Sequence, residues 1–292
     1  MLHKNKEEFL KVLENTSAQT GFPLTLLEKD YYITILLSDI NNLSKKLIFK
    51  GGTCLNKIYY SYYRLSEDID FSMKLPSGVI NRTKRKNTIK PVKEGVQSFV
   101  KKYGLKIQDA DSYGHNESKQ YIYYIEYNSA VLESTQTIKL EIGLRFNPIL
   151  PVTEQSVSHK FVHPFTKEPL FKGGKLYCLD LKELIAEKMR ATATRMNIAP
   201  RDFYDLGYLI KVGFDFKDKA VWGLFKQKLK EDGFDDNITK YKENMGRSEK
   251  DIKDMESRIE AELLDVLTPA EKKTFSIEHT LKSINGIFKS AG

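Results

Sequence analysis

Between residues 45 and 73 the chain runs strand, glycine pair, helix, strand, and this order constrains the fold more than any other feature of its 292 residues. Lys45 to Lys50 forms a short extended run, Gly51-Gly52 break it, and Thr53 to Tyr63 carry apolar residues at helical spacing. Asp68 to Met73 alternates strictly between polar and apolar residues, the pattern of a half-buried strand. With a period of two, Asp68 and Asp70 project from one face while Ile69 and Phe71 pack on the other. Two carboxylates side by side repel one another, and a bound divalent cation is the usual relief. At the glycine turn, missing side chains let backbone N–H groups at a helix N-terminus approach a phosphate.

A third acid is available. Glu141, in Ile138-Lys139-Leu140-Glu141-Ile142, sits on the polar side of another alternating strand and is a candidate metal ligand beside Asp68 and Asp70. Acids on two nearby strands with a glycine turn upstream are the parts of two-metal phosphoryl transfer, in which ions activate an attacking oxygen and steady a leaving pyrophosphate.

Around this centre, residues 6 to 14 and 23 to 40 read as two helices, and a basic, turn-rich stretch runs to about residue 90 before a helix that ends near Tyr103. Leu105 to Asp109, Gln120 to Tyr127 and Thr135 to Phe146 have strand character, and strands this close in sequence are usually antiparallel neighbours. Pro148, Pro151, Pro164 and Pro169 interrupt regular structure, which sets a domain boundary near residue 150. From Asp180 the pattern is helical almost to the end, with breaks at Gly213, Gly233 and Pro269. The expected architecture is α+β: a mixed-sheet domain over 1–150 with flanking helices, and a mainly helical domain over 151–292.

Composition narrows the class. Hydrophobic residues make up 40% and charged residues 29%, too many core formers for a disordered chain and too much charge for a membrane bundle. The longest apolar run, Tyr121 to Ile125, is far short of the roughly 20 residues of a spanning helix. The first residues interleave charge with apolar side chains and so lack the apolar stretch of a secretory signal, which points to the cytoplasm. Cys54 and Cys178 form no CxxC or Cys/His cluster, so neither a disulfide framework nor a zinc site is expected. His115, His159 and His163 show no triad or metal spacing and read as loop residues.

In the second half, Asp180-Leu181-Lys182-Glu183 reads as a capping box. The helix that it opens carries Leu181, Leu184, Ile185 and Thr192 on one face, and Lys188 falls within that stripe. Its stem either snorkels outward or aims a cation at an anionic ligand in a cleft. Arg195 shares the face and serves the same ligand or a solvated helix end. Asp202 and Asp205, three apart after Pro200, are neighbours on a helix whose first turn favours acids.

Strand-Gly-Gly, helix, Asp-x-Asp and a later acidic strand resemble the polymerase-β-like nucleotidyltransferase superfamily. More narrowly, Gly51-Gly52-Thr53-Cys54-Leu55 followed by Arg64-Leu65-Ser66-Glu67-Asp68-Ile69-Asp70 resembles the AbiEii toxin family, as does Glu28-Lys29-Asp30-Tyr31-Tyr32. The fifteen residues between Gly52 and Asp68 exceed the general superfamily spacing and agree with the AbiEii subgroup. The resemblance implies a Mg²⁺-dependent (or Mn²⁺-dependent) transfer of a nucleoside monophosphate from an NTP to an acceptor hydroxyl. It implies a toxin restrained by a co-encoded antitoxin, and a tRNA 3′ end as acceptor. Lys188 matches the family's third motif, and Arg201-Asp202-Phe203-Tyr204-Asp205-Leu206 its fourth, so that Asp202 or Asp205 helps to build the active site. On this reading Asp68, Asp70, Lys188, Asp202 and Asp205 are catalytic candidates. Gly51, Gly52, Thr53, Arg64, Ser66, Lys188 and Arg195 are NTP-binding candidates, with Ser66 alternatively a strand cap and Arg64 alternatively a partner of Glu67. The helical domain would complete the NTP cleft in a monomer without membrane contact. Two alternatives keep the fold: an antibiotic or small-molecule nucleotidyltransferase, and a non-catalytic RNA-binding regulatory module.

The charge is local. Lysine and arginine number 47 against 39 acids, a net +8, and residues 74 to 102 hold nine basic residues against Glu94 alone, which equals the whole excess. Arg82, Lys84, Arg85, Lys86 and Lys90 are candidates for gripping an RNA backbone by counterion release at the rim of the acid site, the alternative being a solvated helix and loop.

Overall fold

The computed structural model of the chain describes residues 1–108, 114–242, 245 and 247–290. The chain divides into two compact units, Met1–Leu179 and Asp180–Gly292.

The first unit opens with α1 (Lys6–Thr20), capped by the Asn5 side chain and closed by Gly21 at a φ of 75°. The helix α2 (Leu24–Asp39) follows Pro23. Then come β1 (Leu47–Lys50), the short helix α3 (Gly51–Cys54) with a π-helical continuation Leu55–Tyr59, and β2 (Ile69–Met73). After α4 (Arg82–Lys101) the chain supplies β3 (Lys106–Ile107), β4 (Gly114–His115), β5 (Gln120–Asn128), β6 (Thr135–Gly143), β7 (Thr153–Ser156) and β8 (Lys175–Cys178). The strands form one mixed sheet in the order β3-β5-β6-β2-β1-β8-β7, with β4 on β5. The strands β1 and β2 are antiparallel, whereas β2 runs parallel to β6 and β1 parallel to β8.

Register gives the two faces opposite characters. Phe49, Phe71, Ile142 and Tyr121 stand in line across β1, β2, β6 and β5, and all four are buried. One residue along, the line reads Lys50, Asp70, Glu141 and Ile122. The apolar face is covered by helices: Tyr32 of α2 packs on Tyr127, at 4.5 Å between ring centroids, and Lys93 of α4 lies over the Tyr121 ring. The polar face retains half-exposed Tyr124.

A buried ion pair locks α2 to the glycine-turn helix. Lys57, fully buried, reaches Asp30 at 2.7 Å and donates to Thr34 and Tyr62, each at 2.8 Å, while the Tyr62 hydroxyl donates to Asp30. Its neighbours in the Glu28 to Tyr32 run also act as clamps. The Glu28 carboxylate accepts from the Ser129 hydroxyl and the Ala130 amide, and Lys29 pairs with Glu67 at 3.0 Å. Charges out of water are tolerated in such places only when every polar atom has a partner.

The second unit is helical: α5 (Leu181–Thr194), α6 (Pro200–Lys211), α7 (Lys219–Glu231), α8 (Glu249–Glu262), α9 (Pro269–Thr274) and α10 (Ile277–Ser290). The helix α5 packs on α6 and α7, and α6 on α8 and α10. Gly207 admits α10, since a Cβ there would lie 2.8 Å from the Thr280 methyl. Trp222, Phe225, Phe288 and Tyr241 interlock edge to face in the core. Lys228 is buried against Glu183, Glu187 and Glu231, which fastens α7 to α5.

Three local expectations change. The boundary falls at residues 179 and 180 rather than near 150, because β8 pairs with β1 and brings β7 with it past the proline-rich stretch. The basic stretch is helical from Arg82, capped by the Asn81 side chain at 2.9 Å from the Lys84 amide, and Pro91 lies inside the helix rather than before it. The Asp180 side chain caps α5 through the Lys182 amide, while the capping box of this unit is Ser248 with Asp251. Of the expected strand Leu105 to Asp109, Asp109 lies outside the described residues, as do Glu243, Asn244 and Gly246 of the helical tail.

Candidate active site

The glycine pair and the acidic strand are one construction. Gly51 has a φ of 77°, and a Cβ on it would lie 2.3 Å from Asp70 Oδ2. Such an approach is closed to any L side chain, so Gly51 is required both by its backbone conformation and by the carboxylate that it faces. At Gly52 a Cβ would lie 2.7 Å from Arg64 Nη2 and 3.2 Å from Ser66 Oγ. Gly52, Arg64 and Ser66 therefore meet at one point. Arg64 is buried, donates to the Leu65 carbonyl at 2.7 Å and lies beside the Tyr63 ring. Thr53 is placed differently: it is fully buried and its hydroxyl donates to the Asp68 carbonyl, so it pins the acidic strand to the glycine helix instead of facing a nucleotide.

Across the polar face, Lys50, Asp70 and Glu141 are cross-strand neighbours. Burial pushes the Asp70 carboxyl up to about 6, and the charges of Glu141 and Asp68 add to the rise while Lys50 and Lys139 oppose it. Glu141 is shifted the other way. Burial raises it, but Lys139 at 2.7 Å, Gln120 at 2.6 Å and the Lys50 charge outweigh that and hold it below the usual carboxylate range.

Among the described residues, no group of three or more His, Cys, Asp or Glu side chains stands placed to hold a metal ion together. Glu141, expected as a third ligand, is engaged by Lys139 and Gln120. The Asp68 and Asp70 pair still fits Mg²⁺, which takes one or two protein carboxylates and completes its shell with water and substrate phosphates. Burial first, and the Glu141 and Asp68 charges second, disfavour the ionised Asp70 carboxyl, a penalty that a divalent cation would relieve. Lys50, Gln120 and Lys139 are the residues that sequence reasoning passed over. The alternation that placed Glu141 on the polar face places Lys139 there too.

In the second unit, Lys188 Nζ sits between two buried carboxylates, 2.6 Å from Asp202 Oδ1 and 2.7 Å from Asp205 Oδ2. Arg195 reaches Asp202 Oδ2 at 2.6 Å with its side chain half exposed. Burial would lift the Asp202 carboxyl, but Lys188 and Arg195 outweigh it and hold it below its ordinary value. The three motif residues thus form one charge cluster, with both aspartates on the same ammonium.

The basic helix α4 is seated behind the sheet. Lys93 Nζ lies 6.0 Å from the centroid of Tyr121, which belongs to the apolar line of residues, so α4 covers the face away from the acids rather than forming their rim. Lys84 and Arg85 are half-buried and donate back to the Val79 and Ile80 carbonyls. Arg82, Lys86 and Lys90 are exposed.

A family profile described as nucleotidyl transferase AbiEii toxin, type IV TA system, matches residues 35–280. Among solved structures, MenT4, a nucleotidyltransferase toxin from Mycobacterium tuberculosis, is similar at 18% identity with a TM-score of 0.57, covering 96% of this chain and 97% of that one. A putative nucleotidyltransferase from H. pylori is similar at 17% identity and a TM-score of 0.51, covering 91% and 93%. No functionally curated protein matches the sequence.

Proposed function

The chain belongs to the AbiEii family of nucleotidyltransferase toxins of type IV toxin–antitoxin systems, and from that premise we propose that it transfers a nucleoside monophosphate from an NTP to the 3′ hydroxyl of a tRNA. The acceptor oxygen bonds to the α-phosphorus, the bond to the β-phosphate breaks, and pyrophosphate leaves. A divalent ion, Mg²⁺ or Mn²⁺, supplies charge that activates the hydroxyl and steadies the pyrophosphate when bound. Asp68 and Asp70 would hold it. Gly51 and Gly52 let Asp70, Arg64 and Ser66 close on the turn assigned to the triphosphate, and Lys50 adds a positive charge to the Asp70 face. In the second unit Lys188, oriented by Asp202 and Asp205, is the cation assigned to an anionic ligand, with Arg195 beside it. Exposed Arg82, Lys86 and Lys90 are assigned to the RNA backbone. The setting is the cytoplasm, where a co-encoded antitoxin restrains the activity.

One observation carries the reading. Gly51 is shaped by Asp70, and Gly52 by Arg64 and Ser66, so the phosphate-binding turn and the acids are built against each other. The test is transfer of label from α-labelled NTPs to total tRNA with Mg²⁺. Wild type transfers label and Asp68→Ala does not; equal labelling by the two proteins refutes the assignment.

A further inference from the structure

Lys139 is a cation planted among the acids. It shares the polar face of β6 with Glu141 two residues on, and its ammonium is 2.7 Å from Glu141 Oε2. Extending the pairing of Ile69 with Leu140 by one residue sets Asp68 beside Lys139, just as Asp70 is set beside Glu141. Gln120 holds the other Glu141 oxygen at 2.6 Å, so both oxygens of the third acid are occupied by groups of the chain.

We infer that Lys139 is the resident counter-ion of the acid face: its ammonium neutralises Glu141 and takes the place that a second divalent ion would fill, leaving a one-ion site at Asp68 and Asp70. A second divalent ion needs oxygen ligands beyond those that hold the first. Here the third acid is spoken for, and an ion placed beside Glu141 would meet the ammonium at close range. The inference rests on the assignment of Asp68 and Asp70 to a divalent ion and goes beyond it by fixing the number of ions and the residue that sets it.

Mn²⁺ titration without nucleotide, followed by calorimetry and by the spin signal of free Mn²⁺, reads this directly. Wild type is expected to bind one ion per chain, and Lys139→Arg to match it. Lys139→Met, which frees Glu141, should take up a second ion or bind the first about tenfold more tightly, as removal of a nearby positive charge predicts. Lys139→Met with Glu141→Gln should return to one ion at wild-type affinity. Lys139→Gln replaces Lys139→Met if the latter does not fold by circular dichroism. A folded Lys139→Met (or Lys139→Gln) protein with wild-type stoichiometry and affinity, or a wild type that binds two ions, overturns the inference. Asp70→Asn separates the two levels: if it keeps the wild-type ion, the assignment of the acids fails and the counter-ion role with it.

Discussion

Replacing Asp70 by asparagine should make the protein more stable at neutral pH while abolishing its chemistry. The structure holds the Asp70 carboxyl at about 6 against an ordinary value of 3.8, through burial first and the Glu141 and Asp68 charges second. That rise corresponds to about 3 kcal/mol at most. Asp70 is partly exposed, and solvent screening reduces the figure to about 1–2 kcal/mol. The sign follows from linkage: a carboxyl raised in the folded state binds its proton more tightly there than in the unfolded chain. Its favourable contribution is complete below about pH 4 and is lost as pH rises through about 6. Asparagine mimics the protonated acid and escapes that loss. In EDTA, Asp70→Asn should therefore melt with wild type near pH 4 and about 3–6 °C above it near pH 8, for a unit of this size. Millimolar Mg²⁺ should raise the wild-type midpoint and leave the variant unmoved. Thermal melts followed by circular dichroism give all three comparisons. A variant less stable than wild type near pH 8 in EDTA would refute the reasoning, because it would mean that the Asp70 charge is compensated in the free protein.

Other perturbations probe separate parts of the structure. Gly51→Ala pairs a positive φ with a Cβ 2.3 Å from Asp70 Oδ2, so it should lose transferase activity more than about a hundredfold and lower the midpoint of urea unfolding. Lys57→Met strands the Asp30 carboxylate in the core and should cost about 3–5 kcal/mol, with Asp30→Asn added in the same chain recovering part of it, read from urea titrations. Neutralising Arg82, Lys86 and Lys90 together should flatten the salt dependence of tRNA binding by about 2–3 units of log–log slope and leave NTP binding intact, as filter binding over a salt series would record.

The site was legible where chemistry and period coincide. Two acids in a strict alternation share a face, and a glycine pair between strand and helix marks a close approach, so Gly51, Gly52, Asp68 and Asp70 stood out together as candidates, and the structure sets Gly51 against Asp70. What lay across the sheet could not. Asp30 and Lys57 are 27 residues apart on two helices, and no periodicity pairs them. The same holds for β8, which finds its place beside β1 through backbone pairing and thereby moves the unit boundary to residue 179. The basic residues before position 90 read as a turn-rich stretch, yet the buried stripe of Ile89, Val92 and Val96 carries α4 from Arg82 through Pro91. Lys188 was legible as an inward lysine, but its two aspartate partners appear only when α5 and α6 pack.

The central claim is transfer of a nucleoside monophosphate, and the position of the label tests it most directly. Purified protein, Mg²⁺ and tRNA are incubated in parallel with NTP labelled at the α- or the γ-phosphate, and Asp70→Asn serves as the inactive control. The account predicts that α-label enters the RNA while γ-label is recovered as pyrophosphate, in equal amounts, and that the variant does neither. Label entering RNA from the γ-position, or equal incorporation by wild type and variant, would contradict it.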